Sequence, residues 1–358
     1  KEGNLNKAEL EIKKAIQNDP TSHENYLDLG NIYNLKNDLT NAELYTKYSI
    51  KLKKDFPQAY SNLGNIFRSQ KKLNKAEFYL KKAIYLQPDY AIAYSNLGNV
   101  FLEKGLLNQA EVNFRKSIKL NPNYAKGFSN LGNVLKDLNK LNEAEIMLRK
   151  SIFLDPNNEI FYSNLGTILH AQGKLDLAVE FYEKVLLLKP GYLEVYNAIS
   201  EILKRQRKFI EATEVCKKAI SINPNFSSSY NMLGSILINQ DKINESIIFL
   251  KKAIEINPEH SDANYNLGIA YQYKNNFKEA ETYYKKAINL NKNMIGPLIN
   301  LGYILYEQGQ IERAIAYYRK AINLNPNFHE TYYNLGFLLF EQHMLDKAIV
   351  CFNKCISL

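Results

Sequence analysis

Residues 91–124 read AIAYSNLGNVFLEKGLLNQAEVNFRKSIKLNPNY, and most features of this 34-residue stretch return 34 residues later. Its Leu97-Gly98 pair recurs at Leu29-Gly30, Leu63-Gly64, Leu131-Gly132 and Leu165-Gly166. The series resumes at Leu233-Gly234, Leu267-Gly268, Leu301-Gly302 and Leu335-Gly336, and Ile199-Ser200 fills the one gap in register. A fixed period in the range of ~20–50 residues dictates the architecture before any local propensity does. With each Gly set at position 8, ten repeats begin at His23, Pro57, Ala91, Ala125, Glu159, Leu193, Ser227, Ser261, Ile295 and His329.

Other columns keep the same register. An aromatic occupies position 4 in eight repeats, with Asn264 and Leu298 as the exceptions. Ala fills position 20 from Ala42 to Ala348, with Ser246 as the one departure, and Pro closes most repeats at position 32, where Lys54 and Lys292 break the column. Positions 4, 7, 8 and 11 form an i, i+3, i+4, i+7 stripe, which predicts an amphipathic first helix. A second stripe follows at positions 17, 20, 24, 27 and 28, as in Leu73, Ala76, Leu80, Ala83 and Ile84. The small residues at 8 and 20 let the two helices approach closely, and the Pro stops the second helix. A hairpin of this size cannot bury its own core, so the hairpins must stack.

These columns resemble the tetratricopeptide repeat, W-x2-L-G-x2-Y…A-x3-F…P, with Tyr in place of the first Trp. The resemblance covers essentially the whole chain. Residues 1–22 supply a lone second helix, since Ala8, Ala15 and Pro20 occupy positions 20, 27 and 32, and residues 23–358 supply ten consecutive repeats, the last incomplete. The expected fold is all-α: ten helical hairpins plus one half repeat, 21 helices without a strand. By resemblance, it is a right-handed superhelix whose first helices line a concave groove.

Composition narrows the function classes. The 358 residues are 46% hydrophobic and 23% charged, so the chain folds rather than forming a disordered tail. Three Cys exclude a disulfide framework and fit a reducing compartment, and the expected location is cytoplasmic. No apolar run reaches the ~18–20 residues of a membrane span, and neither a span nor a signal peptide is expected. The first residue is Lys1 rather than Met, which suggests a trimmed or processed end.

No catalytic constellation emerges. His23, His170, His260, His329 and His343 fall at scattered repeat positions, and H-E-x-x-H, G-x-S-x-G and P-loop motifs are absent. Cys351 and Cys355 have metal-compatible i, i+4 spacing, but Cys355 occupies a core column, Cys216 does likewise, and no second pair exists. The expectation is no enzyme activity, no metal and no cofactor. Lys plus Arg is 46 against 37 for Asp plus Glu, a net charge of +9. Nineteen of the basic residues sit in columns 25 and 26, near the C-terminal ends of second helices. There they complement the helix dipole and read as a solvated face. The charge excess still favours acidic partners; sequence-specific nucleic-acid binding is not expected.

The groove stripe is positions 2, 5, 6 and 9 of each first helix. In the N-terminal half it carries Asn31, Asn62, Asn65, Asn96, Asn99, Asn130, Asn133 and Asn164, interleaved with Ser61, Ser95, Ser129 and Ser163. Asn inside a helix costs several tenths of a kcal/mol (~0.5) against Ala, so its repetition needs a cause. An amide that both donates and accepts can match the peptide bond of an extended ligand. The same column can instead hydrogen-bond between neighbouring hairpins, and the two readings are compatible.

The unbroken Asn ladder, and YSNLGNV at 94–100, resemble the superhelical arm of the O-linked N-acetylglucosamine transferases. That resemblance implies an extended polypeptide held in the groove; Ala198, Met232, Glu201 and Ser235 depart from it, and no transferase domain is present in the sequence. The family's carboxylate clamp for EEVD tails needs Lys or Arg in columns 2, 5 and 6, where only Lys126 stands. Toward the C-terminus the stripe becomes apolar, with Tyr265, Ile269, Ile299, Tyr303, Tyr333 and Phe337, joined by Tyr306 and Phe340 at position 12. These read as anchoring residues, or as packing between hairpins. The expected function is a protein-interaction scaffold holding a peptide or partner protein in the groove; the alternative is the substrate-presenting arm of a larger enzyme such as a glycosyltransferase. The last helix is expected to expose Leu345, Ile349, Phe352 and Ile356 and to support self-association.

Overall fold

The computed structural model describes residues 2–358, with side chains described from Asn4 onward; Lys1, read above as a trimmed end, lies outside the described residues. It contains 21 helices and, among the described residues, no strand. The helix Glu2–Asn18 precedes ten hairpins, which run from His23–Leu35 with Leu39–Leu52 to His329–Glu341 with Leu345–Ser357. In the stretch quoted above, Ala91–Glu103 and Leu107–Leu120 are the two helices. The chain divides into two compact units between Lys189 and Pro190. Within each unit every hairpin packs on the next.

The glycine at position 8 exists because of the side chain at position 24. A Cβ on Gly64 would lie 2.6 Å from Leu80 Cγ, and one on Gly268 would lie 2.5 Å from Tyr284 Cδ1. Gly98 under Phe114, Gly166 under Tyr182 and Gly302 under Tyr318 repeat the arrangement. The irregular Ser200 fits the same rule: its partner at position 24 is Cys216, a short side chain whose thiol lies 3.3 Å from the Ser200 hydroxyl. Ser246, the departure in the Ala column, is equally satisfied, donating to the Gly234 carbonyl at 2.8 Å. Phe352 follows the rule too. It lies over Gly336 rather than facing outward with its neighbours on the last helix, because position 24 belongs to the hairpin interior.

Two local devices complete the hairpin, of which only the Asn or Asp before the proline was evident in the repeat pattern. Position 15, in the turn between paired helices, takes a positive φ in all ten repeats, but only Gly105, Gly173 and Gly309 are glycines there. Asn37, Asn139 and Asn275 tolerate the left-handed conformation, whereas Lys71 (φ 60°) and Arg207 (φ 60°) hold it at a cost. The second helices end at position 30, two residues before the proline column. At position 31, Asn121, Asn223, Asn257 and Asn325 accept from the backbone N–H two residues on, an Asx turn that shares the stopping role. In repeat 8, where Lys292 replaces Pro, the Asn291 turn remains, at 3.1 Å, and the helix still ends at Leu290.

Candidate peptide-binding face

Within residues 2–189, the position-6 asparagines reach backward along the stack. Asn96 Nδ2 donates to Ser61 Oγ at 3.1 Å, Asn130 to Ser95 at 3.3 Å, and Asn164 to Ser129 at 3.1 Å. Asn62 donates to Asn31 Oδ1 at 2.7 Å, because the first repeat has Leu27 where later ones have Ser. This is the between-hairpin bonding that the alternation of Ser and Asn allowed. The position-9 asparagines differ: among the described residues, Asn99 and Asn133 are half-buried with no side-chain hydrogen bond, and the buried Oδ1 of Asn65 has no partner.

A second ladder in the same unit is electrostatic. Glu9, Glu43, Glu77, Glu111 and Glu145 stand at position 21, each paired with a cation four residues on: Lys13, Lys47, Lys81, Arg115 and Arg149. Each also reaches the following repeat. Glu9 meets Lys36 at 2.5 Å, Glu77 meets Lys104 at 2.6 Å, and Glu111 and Glu145 meet Lys140 and Lys174 at 2.7 Å, while Glu43 accepts from Gln70 at 2.9 Å. Hydrogen bonds from Lys13, Lys36 and Tyr33 hold Glu9 at a pKa of about 2. Those from Lys104 and Lys81 lower that of Glu77. Burial raises Glu43, Glu111 and Glu145, but bonds from their lysine, arginine and glutamine partners outweigh it and leave each below its ordinary value. Many column-25 cations are therefore neutralised locally rather than merely solvated. The outward face is also less polar than its lysines suggested, since Phe78, Val112 and Ile146 are exposed at position 22.

Residues 190–358 build a different first-helix face. Tyr303, Tyr306, Tyr333, Asn334 and Phe337, floored by Tyr318 and Leu338, enclose a cleft of about 180 Å³. Tyr303, Tyr333 and Phe337, with Phe340 nearby in sequence, are 39–55% exposed, a large aromatic area left to solvent. Tyr306 meets Phe337 edge-on, with ring centroids 6.1 Å apart. Tyr303 is also a wall of a hollow of about 540 Å³, shared with Ile269, Gln272, Tyr273, Asn275, Phe277 and Asn300. Asn300 donates to the buried Tyr284 hydroxyl at 3.1 Å, and that hydroxyl contacts Gln272 Oε1 at 2.5 Å, so polar groups line the hollow in a fixed arrangement.

The structure thus brings three of the four expected aromatic anchors together and sets the fourth apart. Tyr265 is half-buried, with its hydroxyl over Gly296 at the start of the next first helix. That glycine leaves room for the ring. Ile299, expected on the groove, is buried in the hairpin core. Sequence reasoning missed Gln272, Tyr273, Phe277 and Asn334, and it missed the carboxylates Glu307 and Glu341 at position 13. Extending the column comparison to position 13 would have found the last two. The Glu341 carboxylate beside the Tyr306 hydroxyl pushes that hydroxyl above its ordinary pKa; burial, followed by Glu307, does the same for Tyr303.

Among the described residues, no group of three or more His, Cys, Asp or Glu side chains could hold a metal. Cys216 is buried and its thiol is pushed up to about 11 by burial, which makes it inert. Among the described residues, no helix is long and apolar enough to cross a membrane.

Family models described as tetratricopeptide repeat match residues 57–90, 91–124, 113–146, 160–192, 193–226, 225–293 and 329–358, and a further TPR-repeat model matches 302–343. The chain is a tetratricopeptide-repeat protein. No curated protein matches its sequence significantly. Among solved structures, that of yeast Tom70 is 17% identical over 94% of this chain and 92% of that one, with a TM-score of 0.56, a likeness of fold. MamA is 25% identical over 45% of this chain and 95% of its own, with a TM-score of 0.43. YrrB, described as a TPR protein with an unusual peptide-binding site, is 25% identical over 52% of this chain and 95% of its own, with a TM-score of 0.40.

Proposed function

We propose that this protein is an interaction scaffold that holds an extended segment of a partner protein against its first helices, with the principal anchoring face in repeats 8–10. The observation that carries this reading is the solvent-open cleft between Tyr303, Tyr306, Tyr333 and Phe337. Aromatic side chains offer large contact area at low ordering entropy, and such residues dominate interface energetics when a partner side chain desolvates them. Among the described residues, the Asn99 and Asn133 amides make no side-chain hydrogen bond, and they can pair with an extended backbone. The role is to hold a partner rather than to transform it.

The test uses extended peptides selected from a display library for tight binding to the full chain. Tyr303→Ala with Phe337→Ala is expected to weaken them by about 2 kcal/mol or more, roughly 30-fold. Asn99→Ala with Asn133→Ala should have a smaller effect. Unchanged affinity in the aromatic double variant, with helical circular dichroism intact, would remove the anchoring role.

A further inference from the structure

The aromatic cleft lies in unusual electrostatic surroundings for a chain of net charge +9. Columns 2, 5, 6, 9, 12 and 13 of repeats 8–10 contain Asp262, Glu307, Glu330 and Glu341 and not one Lys or Arg. All four carboxylates are exposed, and none forms an ion pair among the described residues. They contrast with the position-21 glutamates of residues 2–189, each of which is bonded to lysine, arginine or glutamine. Glu341 and Glu307 adjoin the hydroxyls of Tyr306 and Tyr303, and the charge of Glu330 acts on both Tyr265 and Tyr318. Glu307, Glu330 and Glu341 therefore place negative charge around the aromatic cleft.

We propose that the occupant of this cleft is a cationic, arginine-rich extended segment of a partner protein. This inference rests on the scaffold reading above and specifies the partner's chemistry. A guanidinium is flat, weakly hydrated and drawn to the faces of aromatic rings, and it pairs with carboxylates at the same time. Tyr303, Tyr333 and Phe337 supply the ring faces, and Glu307 and Glu341 supply the counter-charges. An ammonium stacks less well and is more strongly hydrated, so lysine is the poorer ligand. The expectation from overall charge, an acidic partner, is reversed at this face: local potential at a concave site governs encounter and register more than net charge does.

Fluorescence anisotropy on the full chain tests this with four labelled twelve-residue peptides alternating Ala with Arg, Lys, citrulline or Leu. Citrulline keeps the shape of arginine without its charge. The expected order places Arg first, Lys several-fold weaker and citrulline about tenfold weaker or more. Glu307→Gln with Glu341→Gln should weaken the Arg peptide about tenfold and leave the Leu peptide unchanged, and added salt should weaken the Arg peptide selectively. Equal binding of Arg and citrulline peptides, or a Leu peptide that binds tighter than Arg, would overturn the cationic assignment and leave the scaffold reading standing. Indifference of every peptide to Tyr303→Ala with Phe337→Ala would overturn both.

Discussion

Residues 2–189 and residues 190–358 are built on the same core and wired differently at the surface. Both place glycine under the position-24 side chain, as Gly132 under Leu148 and Gly268 under Tyr284 show. In the first unit, five successive glutamates and a run of Asn–Ser pairs bond each hairpin to the next. In the second, position 21 reads Thr213, Ile247, Glu281, Ile315 and Ile349, and the first-helix face carries exposed aromatics beside carboxylates that form no ion pair among the described residues. The columns that define the hairpin tolerate little change, whereas columns facing neighbours or solvent vary: amide rungs persist in the second unit, as from Asn266 to Asn231, while the glutamate ladder gives way and an aromatic face opens.

The largest effect expected is one the two units share. Gly132→Val and Gly268→Val should each cost about 3 kcal/mol, because the added atoms meet Leu148 or Tyr284 in a packed interior. Thermal unfolding measures this, and a markedly smaller loss in either unit would show that its hairpins are not built alike. Acid should separate the units. The folded Glu9 lies at about 2 against an ordinary 4.5, and Glu43, Glu77, Glu111 and Glu145 are lowered as well. Their stabilisation is complete above pH ~4.5 and is lost as pH falls toward 2, because protonation then favours the unfolded chain. Amide exchange at pH 3 should accelerate more in residues 39–154 than in 243–357; an equal change would refute the electrostatic ladder.

A smaller loss follows from removing a rung. Asn96→Ala should cost about 1 kcal/mol, by breaking a buried bond to Ser61. Asn266→Ala, which donates to Asn231 at 2.8 Å in the second unit, should cost about the same. The smallest effect is a gain: Arg207→Gly and Lys71→Gly should each stabilise by about 0.5–1 kcal/mol, since both residues hold a left-handed backbone. Chemical denaturation reports both, and a loss at either site would contradict the account of the turn.

Hairpin architecture was legible in the sequence because its signals are steric and periodic: Gly98, Ala110 and Phe114 occupy columns whose residue size is fixed by contact. The position-15 conformation was not legible, since Lys71, Arg207 and His343 give no sign of a positive φ and the turn is imposed by the helices it joins. The Asn column was legible as two compatible roles, ligand contact and bonding between hairpins. Composition alone does not reveal the bond from Asn96 to Ser61, because it depends on the packing of successive first helices. At the candidate site, Tyr303, Tyr333 and Phe337 were found by register. Tyr265 was placed with them because register says nothing of Gly296, whose missing side chain lets the ring fold over the next helix. Glu307 and Glu341 were missed because summing charge over the chain hid a local excess of the opposite sign.

The first helices of repeats 8–10 are the proposed partner-binding face. Hydrogen exchange of the full chain, with and without a tightly bound display-selected peptide, tests it most directly. The account predicts added protection in Ser261–Tyr273, Gly296–Glu307 and His329–Glu341, strongest around Tyr303 and Phe337. Protection confined to the first helices between residues 57 and 171, or to second helices such as Ile311–Leu324, would contradict it.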